Sequence, residues 1–136
     1  MGLTVNGLDL TLDAFADIAE MPDEIAEEIL NEQADIVIRE TTRTGRSMGV
    51  HRTGDTLGSL KKSRPAHLNG THSIKVEFAG KNRHGERNAT VAFINEYGKT
   101  NQPARPFVST ALEKADAEIQ NAAENAVDKY LKKKGF

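Results

Sequence analysis

Ile74-Lys75-Val76-Glu77-Phe78 is the stretch that decides the fold. Three apolar side chains alternate with two charged ones, the period of two expected of a strand with one buried face. A strand with one wet face needs partners, so the neighbouring segments are read for them. Upstream, Leu60 to Leu68 has the composition of an irregular strand, and Pro65, which cannot donate to a ladder, places it at an edge or at a bulge. Downstream, Gly80 to Arg87 is a loop carrying Lys81, Arg83, His84 and Arg87. Thr90 to Glu96 follows, apolar at Val91, Ala92, Phe93 and Ile94, and predicts a central strand apolar on both faces that ends at Gly98.

Helical periodicity takes over further out. From Asp23 to about Glu40, Ile25, Ile29 and Ile36 with Ala26, Leu30, Ala34 and Val37 trace an apolar stripe, while Glu27, Glu28, Glu32 and Asp35 face outward. Pro22 suits the first turn of this helix, and Asp23 and Glu24 suit its positive end. Before it, Leu12, Phe15, Ile18 and Ala19 predict a short amphipathic helix over Thr11 to Glu20. After it, Thr42 to Thr56 is rich in Gly, Thr and Arg and is expected to be a mobile loop, with one helical turn over Asp55 to Leu60. At the other end Pro106 suits the start of a long helix in which Val108, Leu112, Ala115, Ile119, Ala122, Ala126 and Tyr130 share a face. Lys132, Lys133 and Lys134 meet its negative end. Such a helix runs roughly 43 Å at 1.5 Å per residue, longer than a small sheet requires, so part of it is expected to pack on a neighbour.

The expected order is therefore α, α, β, β, β, α. Residues 1–136 make one α+β domain, an antiparallel sheet of three or four strands packed by the long C-terminal helix and by N-terminal helices. A chain of 136 residues can bury a core without staples. With no cysteine, thiol catalysis, cysteine-ligated metals and disulfides are excluded. The apolar runs are too short for a membrane helix, and no signal peptide is expected from Met1 to Leu10.

Charge is unevenly placed behind a net value of -2. Residues 1–38 carry ten acids and no Lys or Arg, whereas residues 39–67 carry seven basic and two acidic side chains. An acidic front and a basic middle make complementary faces, used within one fold or between copies of it.

Enzyme motifs are weak throughout. Gly49, Gly54 and Thr56 approach a phosphate-binding loop, but Asp55 stands where its lysine belongs and would repel phosphate. His51, His67, His72 and His84 lack a metal-ligand spacing and are read as surface histidines. Ser47, Ser59 and Ser63 have no nucleophile elbow. No catalytic residue, cofactor or metal is expected. Arg43, Arg46, Arg52, Lys61, Lys62 and Arg64 supply the phosphate contacts of an alternative reading, a small nucleic-acid-binding module. Against it stand the missing aromatic interleaving and a pI of about 6.1.

Two patches carry a family resemblance. Thr53-Gly54-Asp55-Thr56-Leu57-Gly58-Ser59-Leu60 resembles the signature TG-x-L-x-x-S-I, with one extra residue between Gly54 and Leu57. Asn95-Glu96-Tyr97-Gly98-Lys99-Thr100-Asn101-Gln102-Pro103-Ala104-Arg105-Pro106-Phe107 resembles x-E-Y-G-T-x-x-x-P-A-R-P-F, followed by an Ala/Leu helix. Both are similar to the neck and tail-completion proteins of long-tailed bacteriophages, the head-to-tail joining or gene-ten-like minor tail proteins. The resemblance implies a non-enzymatic virion component, made in the host cytoplasm, that forms a ring of about six copies between head connector and tail tube. It further implies neck, connector and tail-tube proteins as partners, and genome DNA passing through the lumen without specific binding. The expected assembly residues are Arg43, Arg46, Arg52, Thr53, Gly54, Leu57, Ser59, Glu96, Tyr97, Gly98, Pro103, Arg105, Pro106 and Phe107. Within them Arg105 is expected to pair with Glu96 where strand and helix meet, and Phe107 to anchor the helix on the sheet.

Overall fold

The computed structural model describes residues 2–6, 9–14, 22–50 and 52–135. Its elements are β1 (Gly2–Asn6), β2 (Asp9–Ala14), α1 (Asp23–Ser47), α2 (Asp55–Gly58), β3 (Leu60–Lys62), β4 (Ala66–Leu68), β5 (Thr71–Phe78), α3 (Asn88–Tyr97) and α4 (Phe107–Lys133). All strand pairings are antiparallel, in the order β1-β2-β5-β3, with β4 also on β5. The five strands thus fill four positions, and the α+β class stands.

β5 is the strand its alternation predicts. His72, Ile74, Val76 and Phe78 are buried, while Ser73, Lys75 and Glu77 are only half-buried. β3 and β4 share one edge of β5. Between the pairs Lys62↔Val76 and Ala66↔Ser73 the edge chain advances four residues and β5 three, so Ser63–Pro65 holds a one-residue bulge. Ser63 spans it, its N–H donating to the Lys75 carbonyl and its Oγ accepting the Lys75 N–H.

α1 lies on the buried face of the sheet, and α4 lies along α1 in the most extensive packing of the molecule. The two helices run antiparallel. Gly45 faces Phe107 at one end and Gln33 faces Ile119 twelve residues along each helix. Gln33 is fully buried and its Nε2 donates to the Ile119 carbonyl at 3.1 Å. Outside this seam Arg39 pairs with Glu118. Phe107 is fully buried and meets Phe78 of β5 edge-to-face, centroids 5.9 Å apart, so it anchors α4 on the sheet as expected.

Four expectations are corrected. Thr11–Ala14 belongs to strand β2 rather than a helix, and the rest of that expected helix, residues 15–20, lies outside the described residues. The acidic helix does not stop near Glu40 but continues through Ser47, which removes the first six residues of the expected Thr42–Thr56 loop. The continuation buries Thr41, Thr44 and Gly45. Gly45 is small because a Cβ there would stand 2.5 Å from Leu57 Cδ2. Thr90–Glu96 is not a central strand; it lies inside α3, whose Ala89, Ala92, Asn95 and Glu96 are buried at helical spacing. The element order is accordingly β, β, α, α, β, β, β, α, α. Among the described residues no helix is long and apolar enough to cross a membrane.

Candidate functional site

The joint between α3 and α4 is built from the E-Y-G…P-A-R-P-F stretch. Pro106 occupies the N-cap position of α4 and has no side-chain acceptor to offer the free N–H groups of the first turn. Glu96, ten residues earlier, replaces it. Its carboxylate accepts the Val108 N–H at 2.8 Å, the Ser109 N–H at 3.1 Å and the Ser109 hydroxyl. A buried carboxylate at the positive end of a helix is favoured by those bonds and by the helix dipole. The expected Glu96–Arg105 pair is therefore corrected, because Glu96 is committed to α4. Arg105 reaches instead across the joint, its Nη1 donating to the Gly49 carbonyl at 3.2 Å.

The chain between these ends is closed on itself. Lys99 and Gln102 exchange both backbone hydrogen bonds around Thr100-Asn101. Asn95 ties the turn to α3, accepting the Arg105 N–H on its carbonyl and the Gln102 amide on Oδ1. Gly98 makes the fold-back possible, with φ 78° and ψ 177°.

Beside the joint opens a cleft of about 750 Å³, lined by residues 49–50 and 52–54, the start of α2, the turn 82–86 and the turn 99–105. Among the described residues Arg52, Lys99 and Arg105 give it a cationic wall, and Glu86 contributes a carboxylate. Asp55 holds two of these loops together. Its carboxylate accepts the Arg83 N–H and Nε, each at 3.0 Å, and Nη2 at 2.9 Å, while the same guanidinium reaches the Thr53 carbonyl. The Arg83 guanidinium, followed by its backbone N–H, holds the Asp55 carboxyl well below the usual carboxylate range. Since the folded state favours the ionised form, the tether is complete above the ordinary aspartate value of about 3.9 and is lost only as pH falls further, through the depressed folded value. Hydrogen exchange at the Arg83 amide, corrected for its intrinsic rate, is thus expected to stay protected as pH is lowered to about 4 and to lose protection at neutral pH in Asp55→Asn. Protection already lost near pH 5 would contradict the tether.

The structure gathers Arg52, Thr53, Gly54, Pro103 and Arg105 around this cleft. Leu57 and Phe107 are core residues. Ser59 donates to the Thr56 carbonyl and closes α2. Arg43 and Arg46 stand apart on the exposed face of the last turns of α1, Arg43 bonded to Glu40 at 2.9 Å. Tyr97 is 59% exposed and lies against the exposed Phe93, ring centroids 4.8 Å apart. Sequence reasoning missed a second cluster: Asp23, His67 and His72 converge at the far end of β5. The signal present was parity, since His72 is two residues from Ile74 and so shares its buried face.

Compared with known proteins, the chain matches no family model, no curated protein and no solved structure.

Proposed function

We propose that this protein is a non-enzymatic structural subunit of a tailed-phage neck or tail-completion ring, seated between head connector and tail tube. The observation that carries the reading is the α3–α4 joint. The stretch on which the family resemblance rests is engaged internally at Asn95, Glu96 and Gly98, yet presents Tyr97 outward, paired with Phe93 one turn earlier on α3, beside a cationic cleft. An aromatic pair on a rigid joint suits an interface better than a solvated face.

Two further features support assembly from copies. Along α1 the exposed face begins with Glu24, Glu27, Glu28, Glu32 and Asp35 and ends with Arg39, Arg43 and Arg46. In a ring each copy meets the next through two different patches, and opposite charges at the two ends favour head-to-tail closure. α4 also outruns its own core. Beyond Ala122 none of its residues is fully buried, leaving roughly 16 Å of helix with a half-covered face for a neighbour.

Native mass spectrometry of the purified chain is expected to find a closed ring near six copies at low salt, weakened at physiological salt and in Tyr97→Ser. A tight two-fold dimer, or association indifferent to both salt and Tyr97→Ser, would contradict the proposal.

A further inference from the structure

The buried row of β5 runs Phe78, Val76, Ile74 and then His72. The His72 side chain is 3% exposed, and its Nε2 has no hydrogen-bond partner among the described residues. A buried polar nitrogen left in this state is costly unless something else engages it. Directly opposite on the ladder stands His67 of β4. Facing residues on antiparallel strands bring their side chains within reach of one point, and here the two rings stack with centroids 3.9 Å apart. Asp23, the first residue of α1, closes the group. Its Oδ1 lies 3.3 Å from His67 Nδ1 and 3.8 Å from His72 Nε2, and the three potential ligand atoms fall within 4.8 Å of one another.

We propose that Asp23 Oδ1, His67 Nδ1 and His72 Nε2 bind a divalent transition-metal ion of the zinc type, with water in the fourth position. Two imidazoles and one carboxylate are donors that such ions accept, whereas calcium and magnesium prefer oxygen ligands throughout. Tetrahedral coordination with bonds of about 2.0–2.1 Å sets neighbouring ligand atoms roughly 3.4 Å apart. The Asp23–His67 edge already has this length. The ring stack opens to admit the ion by rotation of His67, which is on an edge strand with a 43% exposed side chain, while Asp23 is freer still at 64%. His72 stays as the fixed ligand. The bound ion joins the first turn of α1 to the β4–β5 edge and stabilises the fold by mass action. Acid releases it, since protons compete for the same imidazole nitrogens.

Titration calorimetry of the full chain with Zn²⁺ at neutral pH tests the site, together with the visible spectrum of the Co²⁺-loaded protein. The expected result is one ion per chain, a tetrahedral Co²⁺ spectrum, a Tm raised by Zn²⁺ and restored by chelator, and no response to Mg²⁺ or Ca²⁺. Asp23→Asn and His67→Gln, both at exposed side chains, are expected to weaken binding by at least the roughly 10–100-fold that loss of an outer-shell partner costs. His84→Gln, outside the group, leaves it unchanged. Absence of binding, binding undiminished in the Asp23→Asn/His67→Gln double variant of native circular dichroism, or a loss equally large in His84→Gln would overturn the proposal.

Discussion

Gly98→Ala is expected to destabilise the protein by about 3 kcal/mol, through two causes that act together. With φ 78° and ψ 177° the residue lies in a region open essentially to glycine alone. An added Cβ would also stand 2.8 Å from the Ala104 nitrogen and 2.8 Å from the Gln102 carbonyl oxygen. Both are backbone atoms, so no side chain can swing aside. Relief would require the 99–105 turn to move away from α3, breaking the bond from the Arg105 N–H to the Asn95 carbonyl and opening one wall of the cleft. Gly98→Asn carries the same two causes. Asparagine tolerates a left-handed residue such as Asn69, with φ 53°, but the extended ψ of Gly98 is not left-handed helix, so no rescue is expected. Urea unfolding measures both, and a cost below about 1 kcal/mol for alanine would contradict the assignment.

Glu96→Ala is expected to cost about 2–3 kcal/mol. An ordinary N-cap contributes about 1 kcal/mol, and a hydrogen bond to a charged group about 1.5–3 kcal/mol. Here one carboxylate serves two backbone N–H groups and a hydroxyl, and one of those N–H groups, that of Val108, is buried. Pro106 can offer no substitute, so the loss falls on the first turn of a helix that carries much of the core. Glu96→Gln keeps an acceptor oxygen and is expected to lose roughly half as much. A double-mutant cycle is expected to show coupling between Glu96→Gln and Ser109→Ala and none between Glu96→Gln and Arg105→Gln. Coupling to Arg105 in place of Ser109 would restore the ion pair first expected at this turn.

The parts of the fold legible in the sequence are those where one pattern has no competitor. The alternation at Ile74, Val76 and Phe78 admits one reading, and Pro65 marks the bulge because proline cannot serve a ladder. Where patterns compete, the structure decides against the simpler one. Asp9-Leu10-Thr11-Leu12-Asp13 alternates as a strand, yet Leu12 also begins a helical spacing with Phe15 and Ile18. Val91-Ala92-Phe93-Ile94 is apolar on every face, and a run of four cannot tell a strand from a buried helix. Gly45 looked like punctuation and is instead a notch for Leu57, a tertiary requirement that offsets its cost to the helix.

The site was half legible for a similar reason. Arg52, Thr53, Gly54, Pro103 and Arg105 meet at one cleft because loops joining neighbouring elements gather at one end of a layered fold. The Glu96 acceptor role was hidden because a helix N-terminus attracts carboxylates as a cation does, but carries no residue letter to announce it. The His67–His72 pair was invisible as spacing, since strand register, not a fixed interval, sets them face to face.

The bulge at Ser63–Pro65 has a bearing on how copies of this chain can meet. A long, regular outer strand is a template for any other extended chain, and sheets left open in this way run on into fibres. Here the outer lane beside β5 is cut into two pieces of three residues each, offset by one position. Lys61, Lys62 and Arg64 add like charge along it, and Pro65 withholds a donor. Sheet-to-sheet growth is disfavoured on that side, so the ring proposed above would have to be joined there through helices and loops.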